Sequence, residues 1–185
     1  MGEWKTCVIG DICKTISETY SRNDDYVILI NTSDVLKGKI LNHQTICNKN
    51  LKGQFKKTFK KYDILYSEIR PINRRYAFVD FANTENYIAS TKLMVLRANT
   101  NIILPYYLFL LLTTNKIIQD LQCLAETRSG TFPQITFNSE LASMLVNIPD
   151  LETQKKIISI LKPIDDKIEL NQKINENLTW ILTQH

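Results

Sequence analysis

The chain has 185 residues, of which 44% are hydrophobic and 23% charged; an ordinary globular core is available and general disorder is excluded. The net charge is only +4, yet nine basic residues against two acidic ones fall between Lys49 and Arg75, a concentration that favours a surface facing a polyanion. The most hydrophobic run, Ile102 to Leu112, is 11 residues long, whereas a membrane span needs about 20, and no signal peptide opens the chain, so a membrane protein is excluded and a cytoplasmic one expected.

In chain order, Trp4 to Ile9 reads as a first short strand, and Gly10-Asp11 as the start of a short helix through about Ile16, with Asp11 as its cap. Tyr26 to Ile30 (YVILI) is a continuous apolar, β-branched run and predicts a buried strand. Asn31 to Asp34 and Lys37-Gly38-Lys39 are turns, followed by a weak strand around Ile40. Tyr62 to Ile69 alternates as a strand does, with Ile64 and Tyr66 on one face. Pro71 breaks it and should push Arg70 into extended geometry. Arg74 to Phe81 is the next strand, so the two form a hairpin whose turn is crowded with basic side chains. Tyr87 to Ala89 and Leu93 to Leu96 add two strands. Pro105 then opens a helix, Thr114 to Cys123 gives a second helical pattern, and Phe132 to Phe137 and Met144 to Ile148 read as strands. Strands first, helices later and no βαβ alternation give an α+β fold. It is a mixed, irregular β-sheet domain with packed helices, residues 1–149, followed by a long amphipathic, coiled-coil-like helical segment, residues 150–185.

Asp150 is placed to cap that helix. From Ile157 onward one heptad position falls on Ile157, Ile164, Asn171 and Leu178, and the other on Leu161, Ile168, Asn175 and Leu182. Ile174 and Ile181 lie beside the seam and widen it. A buried asparagine on such a seam fixes register and oligomeric state at some cost in stability. Pro163 interrupts the pattern, predicting a bend or a fresh helix start. Beyond it the rod extends about 35 Å. An apolar seam of that length is covered either by its own domain or by a second helix, and the length favours the second.

Chemistry is harder to find. The cysteines (Cys7, Cys13, Cys47, Cys123) show no CxxC pair, and with only His43 and His185 no zinc site of familiar spacing is available, so buried thiols in a reducing compartment are expected and no metal. Asp63 with Glu68 and Arg70 faintly resembles the carboxylate set of Mg²⁺-dependent nucleases, but an always-protonated arginine cannot do the work of a tunable lysine. No Gly-rich nucleotide loop, nucleophile motif or amino-methyltransferase motif is present. The residues argue for recognition without catalysis or cofactor. Lys52, Lys56, Lys57, Arg70, Arg74 and Arg75, interleaved with Phe55, Tyr62, Tyr66 and Tyr76, are candidates to contact double-stranded DNA. A merely solvated basic face is the plain alternative. Arg128, Ser129, Thr131 and Gln134, around the Gly130 loop, join the candidate set, with phosphates held by cations and base edges read by one or two Arg, Gln or Asn side chains.

Three stretches carry a family resemblance. Glu3-Trp4-Lys5 through Ile9-Gly10-Asp11-Ile12, then Asp63-Ile64-Leu65-Tyr66-Ser67 to Ile69-Arg70-Pro71, and last Gly130, Phe132-Pro133-Gln134-Ile135, Ile148-Pro149, Leu151, Gln154, Ile157, Leu161, Asp165 and Ile168 resemble the specificity subunit of Type I restriction–modification systems. The middle stretch is similar to the family's "GDILFSxIRP", with Tyr62 where the glycine usually stands. The resemblance implies a DNA-reading module without chemistry of its own, whose partners are a methyltransferase (modification) subunit and a restriction subunit. In that family two recognition domains, joined by long antiparallel helices, each read half of a split site. A chain with one domain and one helix is then either a half-size subunit or a fragment of a two-domain one, and as a half-size subunit it is expected to pair as a homodimer through Ile157, Leu161, Ile164, Ile168, Asn171, Ile174, Leu178 and Leu182. The recognition domain of a single-chain restriction–methylation enzyme, and a helical adaptor that binds only protein, stay open beside it.

Overall fold

The computed structural model describes residues 3–49 and 53–183, with side chains through residue 179; Lys52, one of the candidate DNA contacts, lies outside the described residues. The strands are β1 (Trp4–Val8), β2 (Cys13–Ile16), β3 (Tyr26–Ile30), β4 (Val35–Leu36), β5 (Lys39–Ile40), β6 (Ile46–Cys47), β7 (Phe55–Lys57), β8 (Ile64–Ser67), β9 (Tyr76–Phe78), β10 (Tyr87–Ser90), β11 (Leu93–Ala98) and β12 (Leu145–Pro149). The helices are α1 (Ile9–Ile12), α2 (Pro105–Leu112), α3 (Asn115–Arg128) and α4 (Leu151–Thr183).

The architecture is layered. A four-stranded antiparallel sheet in the order β2-β11-β8-β9 lies in the middle. Its strands are apolar on both faces because both are covered. Ile64, Tyr66, Met94 and Leu96 point to α2 and α3, where they meet Leu108, Leu112, Ile118 and Leu121. Leu65, Leu93 and Val95 point the other way, to Ile28, Ile30 and Ala89 of a second sheet. That sheet runs β6-β3-β10-β7, with β3 and β10 parallel. The period-2 alternation of a strand thus sorts neighbouring residues into two separate cores.

β1 and β12 pair antiparallel from Trp4↔Pro149 to Val8↔Leu145, so the start of the chain closes on the point where the domain ends. α4 begins at once. Asp150 caps it, as expected, by accepting from the Thr153 N–H at 2.8 Å, and this bond holds the Asp150 carboxyl below its usual range.

Four expectations need correction. α1 ends at Ile12 and is not capped by a side chain; Cys13–Ile16 is a strand, because β11 offers it an edge with Val95↔Ile16 in register. Arg70 is not extended but left-handed, φ 44°, as is Arg74, φ 54°, so the turn reverses within Pro71–Asn73, a single 3-10 turn. Phe132 to Phe137 is no strand: only the isolated Ile69↔Gln134 bridge forms, and Thr136 caps a π-helical turn over Phe137–Leu141. Finally, of the two alternatives at Pro163 the fresh start is removed, because α4 passes through it as one 33-residue helix.

Candidate nucleic-acid interface

The basic stretch that is continuous in sequence is divided in space. β8 runs through its middle, so Lys60 and Lys61 lie before one end of that strand and Arg70 beyond the other, with the strand's own length of about 10 Å at 3.3 Å per residue between them. The same separation disposes of the nuclease resemblance. Asp63 faces Arg97, which donates from Nε and Nη2 at 2.7 Å each, and also accepts from the Lys60 N–H at 2.8 Å. Its carboxylate is buried and fully used at the end of β8 away from Glu68.

At the Arg70 end, segments distant in sequence converge. The Arg70 N–H donates to the Pro133 carbonyl at 3.1 Å and the Ile135 N–H to the Glu68 carbonyl at 2.8 Å, tying the β8–β9 turn to the loop after α3. α3 supports that turn from beneath: the Ile72 N–H donates to Gln122 Oε1 at 3.1 Å, and Arg74 Nη2 to Asn115 Oδ1 at 2.8 Å. Lys92, in the connection between β10 and β11, donates to Gln134 Oε1 at 3.1 Å and pairs with Glu68 at 3.7 Å. Because an ammonium only donates, this contact turns the Gln134 amide so that Nε2 faces Glu68, 3.4 Å away.

The candidate residues differ sharply in availability. Arg70 is exposed on a left-handed backbone and is the one arginine among the described residues whose guanidinium has no protein partner. A left-handed non-glycine residue costs about 1–2 kcal/mol, and such strain gathers at functional positions. Arg75 donates to the Ser33 carbonyl at 2.9 Å, and Arg128 pairs with Glu140 at 3.0 Å. Ser129 Oγ accepts from the Phe132 N–H at 3.2 Å, which shapes a loop that leaves Gly130, Thr131 and Phe132 exposed. Lys56 is exposed on β7. Lys57 is turned inward: its ammonium donates to the Thr91 and Leu93 carbonyls at 2.9 and 2.8 Å, and burial pulls its pKa down. Lys57 therefore braces the β10–β11 connection that presents Lys92. Lys92 and Glu68 were absent from the candidate DNA contacts; no local pattern marks Lys92, Glu68 stood out only in the nuclease-like carboxylate set, and the meeting of three loops is what brings the two together.

The helix has its own division. Gln154, fully buried, accepts from the Leu104 N–H at 2.8 Å and donates to the Ile102 and Pro149 carbonyls at 3.0 and 2.9 Å. Ile157 and Ile158 pack on the domain core, so Ile157, expected on the seam, is spent on its own domain. Further along, contacts to the domain are polar. Tyr106 donates to Asp165 at 2.6 Å, Lys39 reaches Gln172 at 3.3 Å and Glu169 at 3.8 Å, and Lys162 sits over the Tyr106 ring at 5.4 Å. A cleft of about 650 Å³ lies between α4 and the β4–β5 hairpin. Leu161, Ile164, Ile168, Ile174 and Leu178 stay 38–52% exposed, and Asn171 is exposed; the side chain of Leu182 lies outside the described residues.

Among the described residues no cluster of His, Cys, Asp or Glu is arranged to hold a metal, and no helix is long and apolar enough to cross a membrane. Of the four cysteines expected to be buried only Cys13 is, and burial pushes its thiol up to about 12, which makes it an inert core residue; Cys7 is half-buried, and Cys47 and Cys123 are exposed.

Comparison with known proteins agrees with this architecture. The chain is 52% identical over 182 residues to the Type I restriction enzyme HindI specificity subunit of Haemophilus influenzae; the match covers 98% of this chain and 39% of that protein. The chain thus spans about two fifths of that relative's length. The fold superposes with a TM-score of 0.74 on the HsdS subunit from Thermoanaerobacter tengcongensis, at 23% identity, over 92% of this chain and 44% of that one. It superposes with a TM-score of 0.75 on a chain of a type I R-M system solved for its complex assembly and conformational transition, at 23% identity, over 94% of this chain and 44% of that one. The model of the Type I restriction modification DNA specificity domain matches residues 1–179, and the chain belongs to that family.

Proposed function

We propose that this chain is a non-catalytic, cytoplasmic DNA-recognition subunit. Its domain, through Pro149, reads one half of a bipartite site, and its helical segment, from Asp150, positions a methyltransferase subunit and, through the complex, a restriction subunit. The observation that carries this reading is the convergence at Arg70: a strained, exposed, unpaired arginine held between the Gly130 loop, the β10–β11 connection and α3. Arg70 with Lys92, Thr131 and Gln134 forms the DNA face, and Arg74, Arg75 and Arg128 join it by exchanging their present partners for phosphates. Lys56 approaches from β7. Two copies pair through α4, because beyond Ile158 the helix meets its own domain chiefly through polar side chains and leaves most of its apolar ones exposed.

Binding of a DNA duplex selected from a random library tests the reading. If about five phosphates are neutralised, log K falls with log[salt] at a slope of about −4.5, and Arg70→Ala reduces that slope by about 0.9 without unfolding the domain. Affinity that is absent or indifferent to salt would leave a protein-only adaptor as the better description. Pull-down of a separate methyltransferase subunit separates this reading from a domain of a single-chain enzyme.

A further inference from the structure

The Arg70 end of the domain carries apolar surface beside its cations. Phe132 is 50% exposed and Ile72 48%, and both are fixed where the basic side chains gather. Phe132 precedes Pro133, whose carbonyl accepts from the Arg70 N–H, and its own N–H donates to Ser129 Oγ at 3.2 Å. Ile72 follows Arg70 by two residues, with its N–H anchored on Gln122 Oε1. The Gly130 loop stands clear of the domain: a Cβ added at Gly130 would meet nothing within 4 Å. Neither apolar side chain belongs to any of the three hydrophobic cores. Tyr62, equally exposed, lies beside the Phe78 ring, whereas Phe132 has no ring next to it among the described residues. The fold therefore holds the Phe132 backbone in place and leaves its ring free.

We propose that Phe132 reads a thymine in the half-site by covering its C5 methyl group. This rests on the DNA-recognition reading above and adds to it which base one position selects. A ligand that suits this place is anionic around its edge and apolar at one point. On the base edges of the major groove thymine alone offers an apolar group, and that group is its C5 methyl. The division of labour follows from the side chains. Arg70 and Lys92 can hold phosphates, which fixes the domain on the duplex without reading it. Phe132, on the projecting loop, has neither donor nor acceptor, so it can discriminate only by the apolar area it covers. Cytosine and uracil present hydrogen or nothing more at C5, and both leave the ring facing water.

Deoxyuridine scanning tests this with the full chain and the duplex selected from the random library. Each thymine of the half-site is replaced in turn by deoxyuridine, which removes one methyl and keeps every hydrogen bond. One replacement should weaken binding about fourfold, the worth of one buried methyl group. Phe132→Ala should bind the thymine and deoxyuridine duplexes equally, and the thymine duplex more weakly than the parent does. Phe132→Leu, which keeps an apolar side chain, should retain part of the preference. Arg70→Ala should weaken both duplexes alike and leave their ratio unchanged. A half-site without thymine, a deoxyuridine series that is flat throughout, or a preference that survives in Phe132→Ala overturns the proposal and leaves DNA recognition standing. A Phe132→Ala variant that binds as the parent does also overturns it, and assigns the ring to a protein contact. A chain with no salt-dependent affinity for DNA overturns the recognition reading and the proposal together.

Discussion

Gln154→Leu isolates what fastens the helix to the domain. The side chain is 0% exposed and makes three hydrogen bonds, to the Leu104 N–H and to the Ile102 and Pro149 carbonyls, at 2.8–3.0 Å. Leucine keeps nearly the same volume but leaves three backbone groups unpaired. At about 1–2 kcal/mol each, offset by about 1 kcal/mol for burying an apolar side chain, the net loss is about 3 kcal/mol. That is a large share of a typical 5–15 kcal/mol, and with a urea slope of about 2 kcal/mol/M it moves the unfolding midpoint down by about 1.5 M. Gln154→Glu is the companion. Its carboxylate still accepts from Leu104 but faces two carbonyls with nothing to donate, so the ionised form is destabilised in the fold. The introduced acid therefore has a raised folded pKa, and stability recovers as pH falls and the carboxyl is protonated. Equilibrium urea unfolding at pH 7 and pH 5 measures both. A leucine variant within about 0.3 M of the parent, or a glutamate variant indifferent to pH, would refute the reasoning.

Further outcomes follow from the same geometry. Lys57→Met should lower stability by about 1–2 kcal/mol, leaving the salt slope of DNA binding unchanged, since its ammonium is spent on Thr91 and Leu93; a changed slope would put Lys57 on the DNA face. Asp63→Ala strands the Arg97 guanidinium and the Lys60 N–H and should cost about 3 kcal/mol, the lower end for a buried pair because Arg97 is 31% exposed. Tyr62 has φ 75°, so Tyr62→Gly should gain about 0.5–1 kcal/mol by thermal unfolding after the lost contact with Phe78 is counted. The Glu169 carboxyl is held below its usual 4.5, chiefly by its hydrogen bond from Lys173, with Lys39 adding to it. A depressed carboxylate stabilises above its unfolded pKa and loses that contribution as pH falls through the folded one; NMR titration should show a midpoint under 4.5 that rises in Lys173→Ala.

What was legible in the sequence was what local physics decides. The YVILI run, the β8–β9 hairpin, Pro105 at a helix start and the Asp150 cap all depend on neighbours a few residues away. What was not legible depends on distant ones. Cys13–Ile16 continues a plausible helix until β11 supplies an edge, and β7 is hidden among lysines until β10 pairs with it. Phe132–Phe137 has strand chemistry but finds only one bridge partner. The left-handed Tyr62 also accounts for the glycine that usually stands there in the family's stretch, because the turn into β8 requires positive φ. For the candidate site, Arg70 and Gln134 could be named from sequence and do meet in space. Lys92 could not, because it reaches Glu68 and Gln134 only once the loops have folded together.

The polarity of α4 sets how tightly the proposed pair should hold. A helix serving only its own domain would turn its isoleucines inward and its carboxylates out. Here Ile157 and Ile158 do pack on the domain and Ile168 borders the cleft. Asp165, Glu169 and Gln172 also face in, however, and the six apolar side chains Ile160, Leu161, Ile164, Ile168, Ile174 and Leu178 are 38–65% exposed. Covering that remaining exposed surface is worth about 1 kcal/mol per side chain, or roughly 12 kcal/mol for two helices. Association itself costs about 4–15 kcal/mol, and the polar Asn171 and Asn175 on the same helix add nothing to the apolar gain. The surplus is at most about 8 kcal/mol, which corresponds to a dissociation constant no tighter than about 1 μM. Pairing through this seam is therefore reversible, and DNA carrying both half-sites, by binding two domains at once, should tighten it through effective concentration rather than through any new contact. Analytical ultracentrifugation with and without such a duplex reads this out: a dimer already tight in the nanomolar range without DNA would mean that more than the helix seam is buried.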